Sequence, residues 1–230
     1  MSPSPTVESF QDIAERKLCP PPVASFMGRE DTLDMLRNYF NSESASQRIF
    51  VLHGLGGSGK SQIAFKFIQE SKGKGYASLL IKLAYDRDLL GTLLFSFSDI
   101  FYVDATTEQT LQTDFEVIAP EHAKRTVDAS LRWLASRVDR NWLLLFDNAD
   151  NIDLKLKKYF PSCSSGNILI TTRNRELRHY TAKDADADVK GMCLEDAINL
   201  LLHQARAERS DENIALAEAI VQVVTSLSSS

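Results

Sequence analysis

Cysteine is scarce: Cys19, Cys163 and Cys193 are the only three in 230 residues. Three scattered thiols make neither a disulfide framework nor a four-ligand zinc site, and they suit a reducing compartment. Long apolar runs are missing as well. The most apolar stretch, 76–103, is broken by Lys82, Asp86, Arg87, Asp88 and Asp99, whereas a spanning helix needs about 20 mostly apolar residues. The N-terminus MSPSPTVESF has no basic patch and no apolar core, so no secretory signal is expected. Positive charge is not in excess. Twenty-six basic residues against 31 acidic ones leave a net charge of −5, which argues against a chain whose main task is to coat nucleic acid. A cytoplasmic protein with no membrane or nucleic-acid partner is the expectation. At 43% hydrophobic residues, the chain has enough apolar surface for a core without staples.

Proline is concentrated at one end. Pro3, Pro5, Pro20, Pro21 and Pro22 make residues 1–25 a polar lead, extended at Cys19-Pro-Pro-Pro, with room for one short helix over 7–18. Beyond it, Leu33, Leu36 and Phe40 recur at helical spacing, and Ile49 to Leu52 form a short buried strand ending at Gly54. Helices are expected over 61–70, 111–119, 127–138, 194–207 and 212–224. Strands are expected over 100–103, 142–146 and 167–172, with a fifth around Val189. Apolar strands alternating with helices indicate an α/β fold: a parallel sheet of about five strands covered on both faces.

One motif carries chemistry. Gly54-Leu-Gly56-Gly57-Ser58-Gly59-Lys60-Ser61 fits G-x-x-x-x-G-K-[ST], between an apolar strand and an amphipathic helix. Its four glycines let successive N–H groups converge on one concavity at a helix N-terminus, where the dipole favours anions. Lys60 is placed to reach β- and γ-phosphates, and the Ser61 hydroxyl to join a Mg²⁺ shell. Asp147 closes the apolar run Leu143 to Phe146, where such proteins place a second Mg²⁺ group; a turn or cap aspartate is the plainer reading. Arg173 follows the strand Ile168 to Thr172. Ligands of open α/β sheets bind beyond the strand C-termini, so Arg173 reads either as a γ-phosphate contact or as a surface arginine.

Phe26-Met27-Gly28-Arg29-Glu30, then GLGGSGKS, LLLFDNAD and ILITTRN, resemble in that order the nucleotide-binding core of NB-ARC proteins, over about residues 20–222. These are STAND signalling ATPases of the P-loop NTPase class, and the wording looks most like their fungal NOD-like receptor members. The resemblance implies a nucleotide-binding domain over 26–190 and the start of a helical lid over 191–230. It implies ATP or ADP with Mg²⁺ as cofactors, held by Met27, Gly28, Arg29, Gly54, Gly56, Gly57, Ser58, Gly59, Lys60, Ser61 and Gln62. It gives Lys60, Asp147 and Arg173 catalytic or sensing roles, and Ser61 and Asp147 the metal. It further implies a switch between a closed ADP form and an open ATP oligomer, with homo-oligomers or full-length NB-ARC relatives as partners and slow or absent hydrolysis.

Three departures from the pattern bear on function. Asn148 stands where many relatives carry a second acid, and an amide takes no proton; Asp150 follows two residues later. The family's G-L-P-L-A segment and winged helix have no counterpart, which reads as a truncated lid. Residues 72–96 carry no family pattern and read as translated intron, because Gly73-Lys74 can be encoded by splice-site-like sequence; a family-atypical helix over 79–95 competes with that. Two rival functions stay open: a non-catalytic interaction module, or a metabolic P-loop kinase. His53, Trp133 and Trp142 read as structural, and Asp184, Asp186 and Asp188 as a solvated loop.

Overall fold

The computed structural model describes residues 16–228 apart from 43, 45, 72–96, 121–123 and 140. In chain order the elements are α1 (Glu30–Asn41), β1 (Arg48–His53), α2 (Lys60–Ser71), β2 (Ile100–Asp104), α3 (Glu108–Glu116), α4 (Val127–Ser136), β3 (Leu143–Asp147), β4 (Asn167–Thr172), β5 (Asp186–Asp188), α5 (Leu194–Ala205) and α6 (Asp211–Ser228). Short 3₁₀ turns occupy Leu156–Tyr159 and Arg175–Tyr180. The five strands lie in the order β2-β3-β4-β1-β5 and every pairing is parallel.

The strands are apolar without a break because helices cover both faces. Successive side chains point to opposite sides. Phe50, Leu52, Leu143, Leu145 and Leu169 therefore join the cluster under α1 and α2, with Leu33, Leu36, Phe40, Ile63 and Phe67. Their neighbours Val51, Leu144, Phe146, Ile168 and Ile170 face Leu111, Phe115, Leu134 and Trp142. Each such side chain taken fully out of water contributes roughly 1.5–3 kcal/mol. A third, smaller cluster of Ile198, Leu202 and Ala217 joins α5 to α6.

β4 runs over the six expected residues, and β3 is displaced by one, starting at Leu143 and including Asp147. α3 starts three residues before the expected Leu111, because Thr107 and Thr110 form a reciprocal cap, and it ends at Glu116 rather than at 119. Pro120 disfavours helix just before it. The Ala119 N–H is taken up instead by Ser130 Oγ at 3.2 Å. α4 ends at Ser136, two residues short of expectation, where Arg137 turns extended and lays its guanidinium 4.8 Å from the Trp133 ring centre. The expected solvated loop at Asp184, Asp186 and Asp188 is corrected. Asp184 is exposed, but Asp186–Asp188 is the edge strand β5, paired with Val51 to His53, while Val189 lies just past it. Of the helix expected over 7–18, residues 16–18 are not helical and the rest lies outside the described residues, as does the stretch 72–96. Among the described residues no helix is long and apolar enough to cross a membrane.

Candidate functional site

The C-terminal edge of the parallel sheet collects the residues singled out from sequence. β1 ends at His53, and the chain turns through Gly54 to Gly59 straight into α2, whose first residue is Lys60. Gly54, Gly57 and Gly59 have positive φ. At Gly54 the requirement is steric as well. A Cβ there would lie 2.4 Å from the Val189 carbonyl oxygen, so the loop fits only because β1 and the segment after β5 pass this closely.

Lys60 is buried, and its Nζ donates to the carbonyls of Gly54 at 2.9 Å and Leu55 at 2.7 Å. Burial pulls its pKa below the ordinary lysine value, Asp150 and Asp147 oppose that shift, and Arg173 adds to it. The lysine is thus held inside its own loop, facing three other charges.

Ser61, on the first turn of α2, donates from Oγ to Asp147 Oδ1 at 2.7 Å. Thr171 of β4 donates to the same oxygen at 2.6 Å. The other carboxylate oxygen accepts from Asn148 Nδ2 at 3.3 Å and the Tyr102 hydroxyl at 3.4 Å. The Tyr102 hydroxyl is pushed well above its usual pKa, by burial first and then by Asp147 and Asp104. It stays a donor, which is what a neighbouring carboxylate needs. Thr171 and Tyr102 were not singled out from sequence. The threonine was readable only as a strand residue, although it lies two positions before Arg173.

Arg173 is exposed at the end of β4 and is joined to Asp150. Its backbone N–H reaches Asp150 Oδ1 and its Nε reaches Oδ2, both at 2.6 Å. The far end of the side chain faces Gly56: a Cβ there would meet Arg173 Nη1 at 3.8 Å.

Met27, Gly28 and Arg29 approach from the other side. Gly28 and Arg29 both adopt left-handed backbone, and a Cβ on Gly28 would collide with the Asp196 side chain of α5. Arg29 acts as a rivet. It donates from Nη2 to Ser58 O at 2.9 Å and from Nη1 to Lys190 O at 2.8 Å, joining the glycine loop to the segment between β5 and α5. Gln62 accepts the Val23 N–H at 2.8 Å, which fastens the lead segment.

Between these parts lies a cavity of about 710 Å³. Met27, Arg29, Gly57, Ser58, Gly59 and Gln62 line one side; Met192 and, from α5, Leu200, Leu201 and Gln204 line the other. The α5 side chains carried no motif, only helical periodicity. The volume lies within the usual range of small-ligand sites. Ser58 Oγ is buried there without a hydrogen-bond partner.

His53 is buried, with Nε2 at 3.0 Å from Asp186 Oδ2 and Nδ1 at 3.6 Å from Asp188 Oδ1, and so fastens β5 to β1. Trp142 is fully buried and Trp133 half-buried, as expected of core residues.

The parts fit a nucleoside polyphosphate with Mg²⁺: an apolar cavity lined by the glycine loop and its orphan Ser58 hydroxyl, with Lys60 and a hard-oxygen pair, Ser61 and Asp147, following in the same turn and at the sheet edge. Among the described residues no group of three or more His, Cys, Asp or Glu could hold a metal alone. Ser61 and Asp147 would hold a Mg²⁺ together with oxygens of the phosphates and water.

The NB-ARC domain family matches residues 29–212. A curated nucleotide-binding leucine-rich repeat (NLR)-like protein of the fungus Hyaloscypha variabilis is 24% identical over 204 residues, covering 77% of this chain and 18% of its own length. The chain thus spans about a fifth of that relative. Among solved structures, the origin recognition complex of Drosophila bound to DNA aligns at a TM-score of 0.50 and 11% identity, over 92% of this chain and 55% of that one. At that identity the likeness concerns the fold. A STAND protein with a tetratricopeptide repeat sensor from Pyrococcus horikoshii aligns at 0.48 and 16% identity, over 86% of this chain and 28% of that one.

Proposed function

The chain belongs to the NB-ARC domain family, and on that premise we propose that it binds ADP or ATP with Mg²⁺ as the core of a STAND-type signalling switch. The observation that carries the reading is that the 54–61 loop is tied to Arg29 on its cavity side and to Asp147 at the sheet edge, with Arg173 beside Gly56.

In this reading the apolar cavity takes the adenine, and the 54–59 loop offers its N–H groups and the Ser58 hydroxyl to the phosphates. Lys60 exchanges its two carbonyl acceptors for phosphate oxygens. Asp147 holds Ser61 in the rotamer that presents its hydroxyl to Mg²⁺, while Thr171, Asn148 and Tyr102 keep the carboxylate from turning. A Mg²⁺ held by Ser61 and Asp147 would supply neutralisation of charge on the phosphate chain. Asn148 cannot accept a proton, so activation of a water by this residue is denied and hydrolysis is slow or absent. The lid helices α5 and α6 close the cavity and report its occupancy.

Purified protein released by heat and read by chromatography tests the reading: stoichiometric ADP or ATP is the expected result. In nucleotide-stripped protein, added ADP should raise the melting temperature by mass action. Absence of both, with capture of a larger relative irrespective of nucleotide, would instead favour an interaction module.

A further inference from the structure

Asp150 has no role in the nucleotide scheme above, yet it makes two 2.6 Å hydrogen bonds to the residue at the rim of the phosphate loop. Its placement is built rather than incidental. The chain leaves β3 through Asn148 in left-handed backbone. The Ala149 N–H then donates to Thr171 O at 2.9 Å, and Thr172 Oγ1 donates to Ala149 O at 2.6 Å. These bonds pin the segment after Asp147 to β4, so that Asp150 meets the residue following β4.

The mode of contact matters. Asp150 accepts from the backbone N–H and from Nε, the root of the guanidinium, and neither Nη is used in that pair. A guanidinium offers five N–H donors in a fixed fork. With its root clamped, the side chain lies along Gly56, its Nη1 3.8 Å from where a Cβ would stand. Without the clamp this side chain, 63% exposed, would be one more mobile surface arginine. Asp150 also opposes the burial-driven lowering of the Lys60 pKa, ahead of Asp147.

We propose that Asp150 is a positioning residue that aims Arg173 at a terminal phosphate and so sets the preference of this site for a nucleoside triphosphate over the diphosphate. The inference rests on the nucleotide reading above and adds to it a residue for discriminating the two ligands. An oriented, charge-assisted fork binds an anion more strongly than one that must first be ordered. The diphosphate, held by the loop and Lys60, needs no such contact.

The test measures ADP and a non-hydrolysable ATP analogue by equilibrium titration with Mg²⁺, on the wild type, Asp150→Ala, Asp150→Asn, Arg173→Ala and the double variant. Loss of an oriented bond to a charged group is expected to reduce the ATP-over-ADP affinity ratio about tenfold in Asp150→Ala, with ADP affinity within about twofold of wild type. Arg173→Ala should give the same ratio, and the double variant no further loss, because the two act as one unit. Asp150→Asn, which retains one acceptor, should fall between. An unchanged ratio, or an increased one because Asp150 merely repels the triphosphate, overturns the inference while leaving nucleotide binding intact. Wild-type protein that binds neither ligand overturns the nucleotide reading itself. A melting temperature and the Arg173 Nε–H resonance of nucleotide-free protein separate lost orientation from lost folding. That resonance should be hydrogen-bonded in wild type and released in Asp150→Ala, and a free Nε–H in wild type would likewise overturn the inference.

Discussion

Ser61 Oγ and Asp147 Oδ1 lie 2.7 Å apart, although one residue sits in the first turn of α2 and the other closes β3. Their contact joins the glycine loop to the sheet edge. Asp147→Asn keeps the shape but removes the charge, and an amide oxygen is a weaker partner for a hard cation. Mg²⁺ should then enhance ADP binding much less in the variant than in wild type, while metal-free ADP binding stays nearly level. Titrations with and without a chelator check this. Equal Mg²⁺ dependence in the two proteins would remove Asp147 from the site.

Lys60 is held by two carbonyls of its own loop. Replacing it with alanine should weaken ADP binding by about 1.5–3 kcal/mol, the range for a hydrogen bond to a charged group. Calorimetric titration measures this directly, and unaltered affinity would count heavily against the assignment.

Gly54 and Gly57 separate steric from conformational demand. Both have positive φ, but a Cβ on Gly54 would meet the Val189 backbone at 2.4 Å, whereas nothing lies within 4 Å of one on Gly57. Gly57→Ala should cost about 1–2 kcal/mol, and Gly54→Ala about 2–4 kcal/mol because the carbonyl cannot move aside. Urea melts of the two variants give the comparison. Equal destabilisation would mean that the β1–β5 approach is looser than described.

Asp104 predicts an acid dependence. Burial alone would raise its pKa, but the Thr106 hydroxyl and N–H, together with Lys17, reverse the sign and hold it below the ordinary value. A carboxyl depressed in the folded state stabilises fully above its unfolded pKa, about 3.9, and loses that contribution as pH falls through the folded value. Asp104→Asn should therefore be less stable than wild type near neutrality, with the gap narrowing below about pH 4. Denaturant melts between pH 6 and 3 provide the check.

Local order settled much of this protein in advance. The alternation of apolar strands with helices, the Gly54–Ser61 pattern, and the positions of Asp147 and Arg173 at strand ends follow from backbone and burial preferences that act over a few residues. The parallel sheet follows from strands apolar on both faces. The ends of α3 and α4 were less legible, because Thr107 capping, Pro120 and the turn at Arg137 outweighed hydrophobic periodicity there.

Packing alone decided which distant groups meet. Arg29 reaches a carbonyl 161 positions away, Thr171 bonds Asp147, Asp150 clamps Arg173, and Asp186 and Asp188, loop residues by sequence pattern, form a strand beside His53. The α5 face of the cavity is likewise a product of that helix packing against the loop. Such pairings depend on how layers stack and how strands are ordered, and the residues involved look locally like any other polar or aliphatic side chains. The chain therefore announces its phosphate loop in eight consecutive letters, but the partners that aim and enclose it exist only once the sheet has brought four segments to one edge.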